Sequence, residues 1–252
     1  MNRNQKIIAA SMGVGFSIIA AKIYSIWTSA PGVPPVPRLR DGQQEVPVIP
    51  LVGHSFDVDD AARVMSRLRE FEGRPVILLL HTLGAGILPA VQIARAVRRH
   101  GKVTAFVPFH ALSAGTLVAL AAQRVFMWQD ASLGPVDPQI GFFSASSLIA
   151  VVETKTQKEA DDYSIAMAHE ARKALRQTEA FLSELIDEPT AIDRLISGAT
   201  THSYPIGLNE ATSLGLNVEL ATPSPYAESL VRALIPGGRP GGRDCECRLR
   251  AL

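Results

Sequence analysis

Three sharp, glycine-containing turns hold the side chains best placed to do chemistry in this sequence. The first is His81-Thr82-Leu83-Gly84-Ala85-Gly86, the second runs from Phe109 through His110, Leu112, Ser113 and Gly115 to Thr116, and the third is Leu133-Gly134-Pro135-Val136-Asp137-Pro138-Gln139. Ser113 stands where a helix opens, so its hydroxyl sees the positive end of the helix dipole and the unpaired N–H groups of the first turn. Ala114 and Gly115 are small enough to let a substrate backbone approach. Two readings compete: an activated nucleophile, and a serine that merely caps its helix. Judged alone, the cap is the commoner use of serine. His81 and His110 flank the same turns and read as bases or, more simply, as packed turn residues. Asp137 before Pro138 reads as a turn former. No glutamate lies in the three turns, no Gly-Lys-Ser/Thr follows Gly84 to make a phosphate loop, and no His, Cys and acidic residues share metal-ligand spacing. No cofactor is expected.

Turns of this kind need strands to end at them. Residues 48–52, 76–80, 103–107 and 124–127 are short apolar runs, and 76–80 is apolar without interruption, as in a strand buried on both faces. Pro50 suggests that its strand lies at a sheet edge. Between these runs, residues 57–71, 87–100 and 115–122 have helical periodicity. The first has Ala61, Val64, Met65 and Leu68 on one face, and the second closes on Arg98, Arg99 and His100, which suit a helix C-terminus. Such alternation predicts an α/β fold with a parallel sheet flanked by helices, whose active site sits at the C-terminal edge of the strands. Beyond Gly134 the pattern predicts long helix over 157–185, a second helix over 191–196, then a short helix and strand within 205–220.

Bulk properties narrow the function. The chain has 252 residues, 47% hydrophobic and 19% charged, with a formal net charge of +1. Without a basic excess, and with 6% aromatic residues, a nucleic acid is a poor partner. Cys245 and Cys247 sit in the tail and form no disulfide framework. Residues 1–30 predict a single-pass membrane anchor. Arg3 and Lys6 precede an apolar stretch from Ile7 to Trp27, long enough to span a bilayer, with Lys22 snorkelling. The rival is a cleaved signal peptide, but its weak site at Thr28-Ser29-Ala30 is followed directly by Pro31. Arg3 and Lys6 favour a cytoplasmic N-terminus and Arg38 and Arg40 the opposite, which leaves the orientation open. Residues 31–45 read as a Pro-rich linker, 46–235 as the globular domain and 236–252 as a flexible tail.

Leu112-Ser113-Ala114-Gly115-Thr116-Leu117 followed by Leu133-Gly134-Pro135-Val136-Asp137-Pro138-Gln139-Ile140 resembles the serine dehydrogenase proteinase family, a ClpP/crotonase-like group close to signal peptide peptidase SppA. His81-Thr82 with Gly84, Asp161-Asp162, Tyr204-Pro205-Ile206 and Leu214-Gly215-Leu216 extend the match from about Val46 to Pro225. The resemblance implies a ClpP/crotonase-like spiral, a serine peptidase acting on peptide or protein substrates, and assembly into a homo-oligomer. It makes Ser113 the nucleophile. A ClpP-type histidine should follow shortly, yet none lies between Ser113 and His169. The SppA-like pattern uses a lysine instead, which matches Lys155, with Lys158 as the competitor; a desolvated lysine can act as a neutral base. The oxyanion hole is implied at the N–H groups of Gly84, Ala85 and Ala114. Where the relatives read Thr-Pro-Gly-Gly, this chain reads Thr82-Leu83-Gly84-Ala85. If that position demands a positive φ, alanine is strained there, and a reshaped, impaired site is expected. Two alternatives stand beside the peptidase: a crotonase-type acyl-CoA enzyme, and a non-catalytic membrane scaffold on the same fold. Nothing suggests a pyridoxal phosphate lysine. The long helical stretch offers Ala171, Leu175, Leu182 and Leu185 as an apolar row for self-association.

Overall fold

The computed structural model describes residues 38–235 apart from 42–43, 156–160 and 223. The expected anchor (1–30), the tail (236–252) and Lys158 lie outside the described residues. Among the described residues no helix is long and apolar enough to cross a membrane.

The chain enters through β1 (Arg38–Asp41), antiparallel to the start of β2 (Gln44–Val52). Residues 38–41 and 44–45 of the expected 31–45 linker are therefore strand, while 31–37 lie outside the described residues. Then come α1 (Val58–Glu70), β3 (Val76–His81), α2 (Ile87–His100), β4 (Val103–Val107), β5 (His110–Ala111), α3 (Ala114–Leu120), β6 (Arg124–Met127) and β7 (Ser132–Leu133). The second half adds β8 (Gln139–Ile140), β9 (Phe143–Ser144), α4 (Ala145–Glu153), α5 (Asp162–Ser183), α6 (Pro189–Ile196), β10 (Ile206–Gly207), α7 (Leu208–Ser213), β11 (Val218–Leu220) and α8 (Pro225–Leu234). The main sheet has the order β1-β2-β3-β4-β6-β11, parallel throughout except for β1. Pro50 faces no conflict there. Among the described residues the pairing with β1 stops at Pro47, so residues 48–52 pair with β3 alone and Pro50 sits where the strand has an edge.

Both faces of the sheet are covered, which is why Leu78, Leu79 and Leu80 are all fully buried. One face packs on α1, α2 and α3 through Val64, Leu68, Ile93, Val97 and Leu117. The opposite face, with Val48, Leu79 and Phe106, is closed by Leu230, Val231 and Leu234 of α8. No helix was expected over 225–234, because a ten-residue amphipathic stretch behind a proline is a weak local signal. The long helical stretch begins later than expected, at Asp162, where the Asp161 carboxylate accepts from the Ser164 N–H, and α4 precedes it as a separate helix begun by Ser144. Ala171 and Leu182 of the expected association row are fully buried within the chain, whereas Leu175 and Leu185 are half-buried.

A second, three-stranded sheet has the order β10-β7-β5. β5 and β7 are parallel, pairing His110 with Ser132 and Ala111 with Leu133, whereas β10 runs antiparallel, pairing Ile206 with Leu133. This small sheet carries the second and third turns.

Candidate active site

Ser113 joins β5 to α3 with φ 52° and ψ −120°, and among the described residues no other non-glycine residue has a positive φ. A left-handed φ at a residue bearing a Cβ costs on the order of 1–3 kcal/mol and persists only where its surroundings over-determine it. Its neighbours do so. The Gly115 N–H donates to Leu112 O at 2.7 Å and the Leu117 N–H to Ser113 O at 3.2 Å, so the chain folds back sharply on both sides of the serine. Ser113 occupies the N-cap position, yet its side chain makes no capping hydrogen bond. The capping reading therefore fails. A strained strand-to-helix turn with a free hydroxyl is the geometry that presents a nucleophile.

The first turn lies directly against this one. Gly84 has φ 133°, and a Cβ there would stand 3.0 Å from Ser113 Cβ and 3.4 Å from Ser113 Oγ. Glycine is required on both counts, conformation and space. The Leu112 N–H donates to Thr82 O at 3.0 Å, and a Cβ on Gly115 would come within 2.7 Å of Thr82 Cγ2, so the two turns are in close contact. The positive φ falls on Gly84 and not on Ala85. Ala85 is therefore free of the strain expected for it. The Gly84 N–H donates to Thr82 Oγ1 at 3.2 Å, and Ala114 opens α3, where an N–H has no intrahelical partner.

The third turn completes the wall. Gly134 packs on Leu112, whose Cδ2 would lie 2.9 Å from an added Cβ. The buried Thr116 Oγ1 accepts from the Gly134 N–H at 3.0 Å and lies within donating reach of Ala111 O and Gly134 O, at 2.7 and 2.9 Å. Three residues on, Asp137 is only 2% exposed. Its carboxylate accepts from His202 Nδ1 at 2.7 Å through Oδ1 and from Gln139 Nε2 at 2.7 Å through Oδ2. A carboxylate only accepts, so the His202 Nδ1 carries the proton of this bond. His202 lies 89 residues beyond Ser113, and no local pattern marks it as a partner of that turn. Asp137 is more than a turn former: it anchors this pair. The signal that could have found it is a carboxylate in an otherwise apolar turn, which demands a donor from elsewhere.

The other predicted side chains, Lys155, His81 and His110, make no hydrogen bond to Ser113, and Lys155 follows α4 with its side chain exposed. The Asp161 carboxyl is held below its ordinary range, first by hydrogen bonds from Ser164 and least by the charge of Lys155. His81 and His110 stack with ring centroids 4.1 Å apart. Burial first, and then the neighbouring His110, depress His81 to about 4, and burial with His54 nearby lowers His110. Phe109 and Trp128 extend this group as edge-on rings. Among the described residues no set of three His, Cys, Asp and Glu side chains is arranged to hold a metal ion.

A parallel α/β sheet, a strained serine in the turn that joins the small sheet to α3, and a glycine turn pressed against that serine define a serine-hydrolase type of site. Residues 42–231 match the model of the ClpP-like SDH-type serine proteinases, and the chain belongs to that family. It is 37% identical over 175 residues to the uncharacterized protein MJ0137 of Methanocaldococcus jannaschii, covering 66% of this chain and 61% of that one. It is 33% identical over 182 residues to the uncharacterized protein MJ1495 of the same organism, covering 69% and 62%. The chain thus spans about three fifths of the length of these relatives. Among solved structures it resembles the membrane-bound stomatin-specific protease 1510-N, with a TM-score of 0.50 and 19% identity over 76% of this chain and 88% of that one. That likeness concerns the fold.

Proposed function

We propose that this chain is a membrane-tethered serine peptidase in which the Ser113 hydroxyl attacks the carbonyl of a peptide bond. Lys155 takes the serine proton, and the backbone N–H groups of Gly84, Ala85 and Ala114 hold the oxyanion of the tetrahedral intermediate. The observation that carries this reading is the strained conformation of Ser113 beside Gly84. The Gly84 N–H would exchange its bond to Thr82 Oγ1 for the oxyanion as negative charge develops, since a charged acceptor binds an N–H more strongly than a hydroxyl does. Substrates are peptides or proteins. The active form is a homo-oligomer, and residues 1–30 tether it to the bilayer.

A fluorophosphonate probe, which reacts with activated serines, tests the nucleophile. The probe is expected to modify Ser113 in the wild-type chain and to leave the Ser113→Ala variant unlabelled. Equal labelling of both refutes the assignment.

A further inference from the structure

We propose that His202 is a positioning residue for Ser113, acting through Asp137; the inference rests on the reading of Ser113 as nucleophile. The register of the small sheet supplies the connection. β5 and β7 run parallel, so Leu112 and Ser113 leave that sheet at the same end as Gly134 and Asp137. β10 runs antiparallel to β7, so the residues preceding Ile206 return alongside those following Leu133. His202 thereby meets Asp137, and its Nδ1 closes on Oδ1 at 2.7 Å. With Gln139 on the other oxygen, a carboxylate 2% exposed has both oxygens engaged by side chains. Removing one of those donors leaves a buried charge half satisfied, which the segment can relieve only by moving.

The segment held in this way touches the serine's own turn. Gly134 packs on Leu112, one residue before Ser113, and is hydrogen-bonded to Thr116, three residues after it. The Val136 N–H and the Pro138 carbonyl are also engaged, to Leu195 O and from the Ala145 N–H. The strained φ of Ser113 is maintained by packing of this kind, and His202 locks its outer end.

The test is the rate at which the fluorophosphonate labels Ser113 in the full chain, with melting followed in parallel and labelling carried out well below each midpoint. His202→Ala is expected to slow labelling by roughly tenfold to a hundredfold, the usual consequence of displacing a reacting group by about an ångström. His202→Asn keeps an N–H near the place of Nδ1 but has nothing in place of Nε2, and it is expected to restore labelling to within a few fold of wild type. Wild-type labelling in a folded His202→Ala variant overturns the proposal and leaves the nucleophile assignment standing. A folded His202→Asn variant as slow as His202→Ala also overturns it, because the imidazole would then be needed for proton transfer. Undiminished labelling of Ser113→Ala sinks the nucleophile assignment itself.

Discussion

Ser113 holds a backbone conformation that glycine adopts freely and serine does not. That strain predicts an inversion of the usual effect of glycine. Ser113→Gly should melt above Ser113→Ala, by an amount worth about 1 kcal/mol, because relief of the positive φ outweighs the extra freedom of the unfolded chain. Calorimetry of the two variants decides it, and a lower midpoint for the glycine variant would show the turn to be unstrained. Lys155 carries a prediction of its own at this scale. As the base, Lys155→Ala should lose orders of magnitude in peptidase rate, and Lys155→Arg should fail as well, since a guanidinium stays protonated. Full activity in both variants removes lysine from the mechanism.

Elements meet at this site through small residues and half-buried rings, and both respond to substitution in predictable ways. Gly84→Ala forces a Cβ toward Ser113 at φ 133°, which should cost about 1–3 kcal/mol of stability and abolish labelling together. A variant that labels normally would show that the first turn is free to move away. At the ends of β3 and β5, His81 and His110 are held neutral, with His81 depressed from 6.5 to about 4. The unfolded chain binds protons through that window and the folded chain resists them. The stability contributed by neutral His81 is therefore present above pH 6.5 and lost as pH falls toward 4. Urea midpoints measured at neutral and mildly acidic pH should fall on acidification, and His81→Phe should reduce that fall while keeping an edge-on ring beside Phe109. An unchanged pH dependence in His81→Phe would assign it to other groups.

For the whole molecule, the anchor and the oligomer are the open expectations. The full chain should stay with membranes through a carbonate wash, whereas a chain beginning at Arg38, which keeps β1, should be soluble and self-associate in light scattering at micromolar concentration. Release of the full chain by the wash, or a strictly monomeric domain, would overturn the respective proposal. Of the expected row, only Leu175 and Leu185 keep surface for self-association, because Ala171 and Leu182 are buried within the chain. Much of this architecture was legible locally. The strand runs of β2, β3, β4 and β6, the helices between them and the three turns follow from periodicity and turn chemistry, which operate over a few residues. Ser113 stood out because its turn joins a strand to a helix. The conformation that sets it apart from a cap was not legible, because a positive φ at serine is imposed by Gly84, Leu112 and Gly134 packing around it. Nor was α8, whose short apolar face acquires meaning only against Leu79 and Phe106. His202 and Asp137 lie 65 residues apart. Their meeting depends on the antiparallel return of β10, a register that no local pattern encodes. The sequence by itself determined the parallel sheet, the three turns and the serine among them, since short-range periodicity and backbone chemistry suffice for these. The tertiary structure alone decided the strain at that serine and the histidine–aspartate pair behind it, since both arise from contacts between segments far apart in the chain.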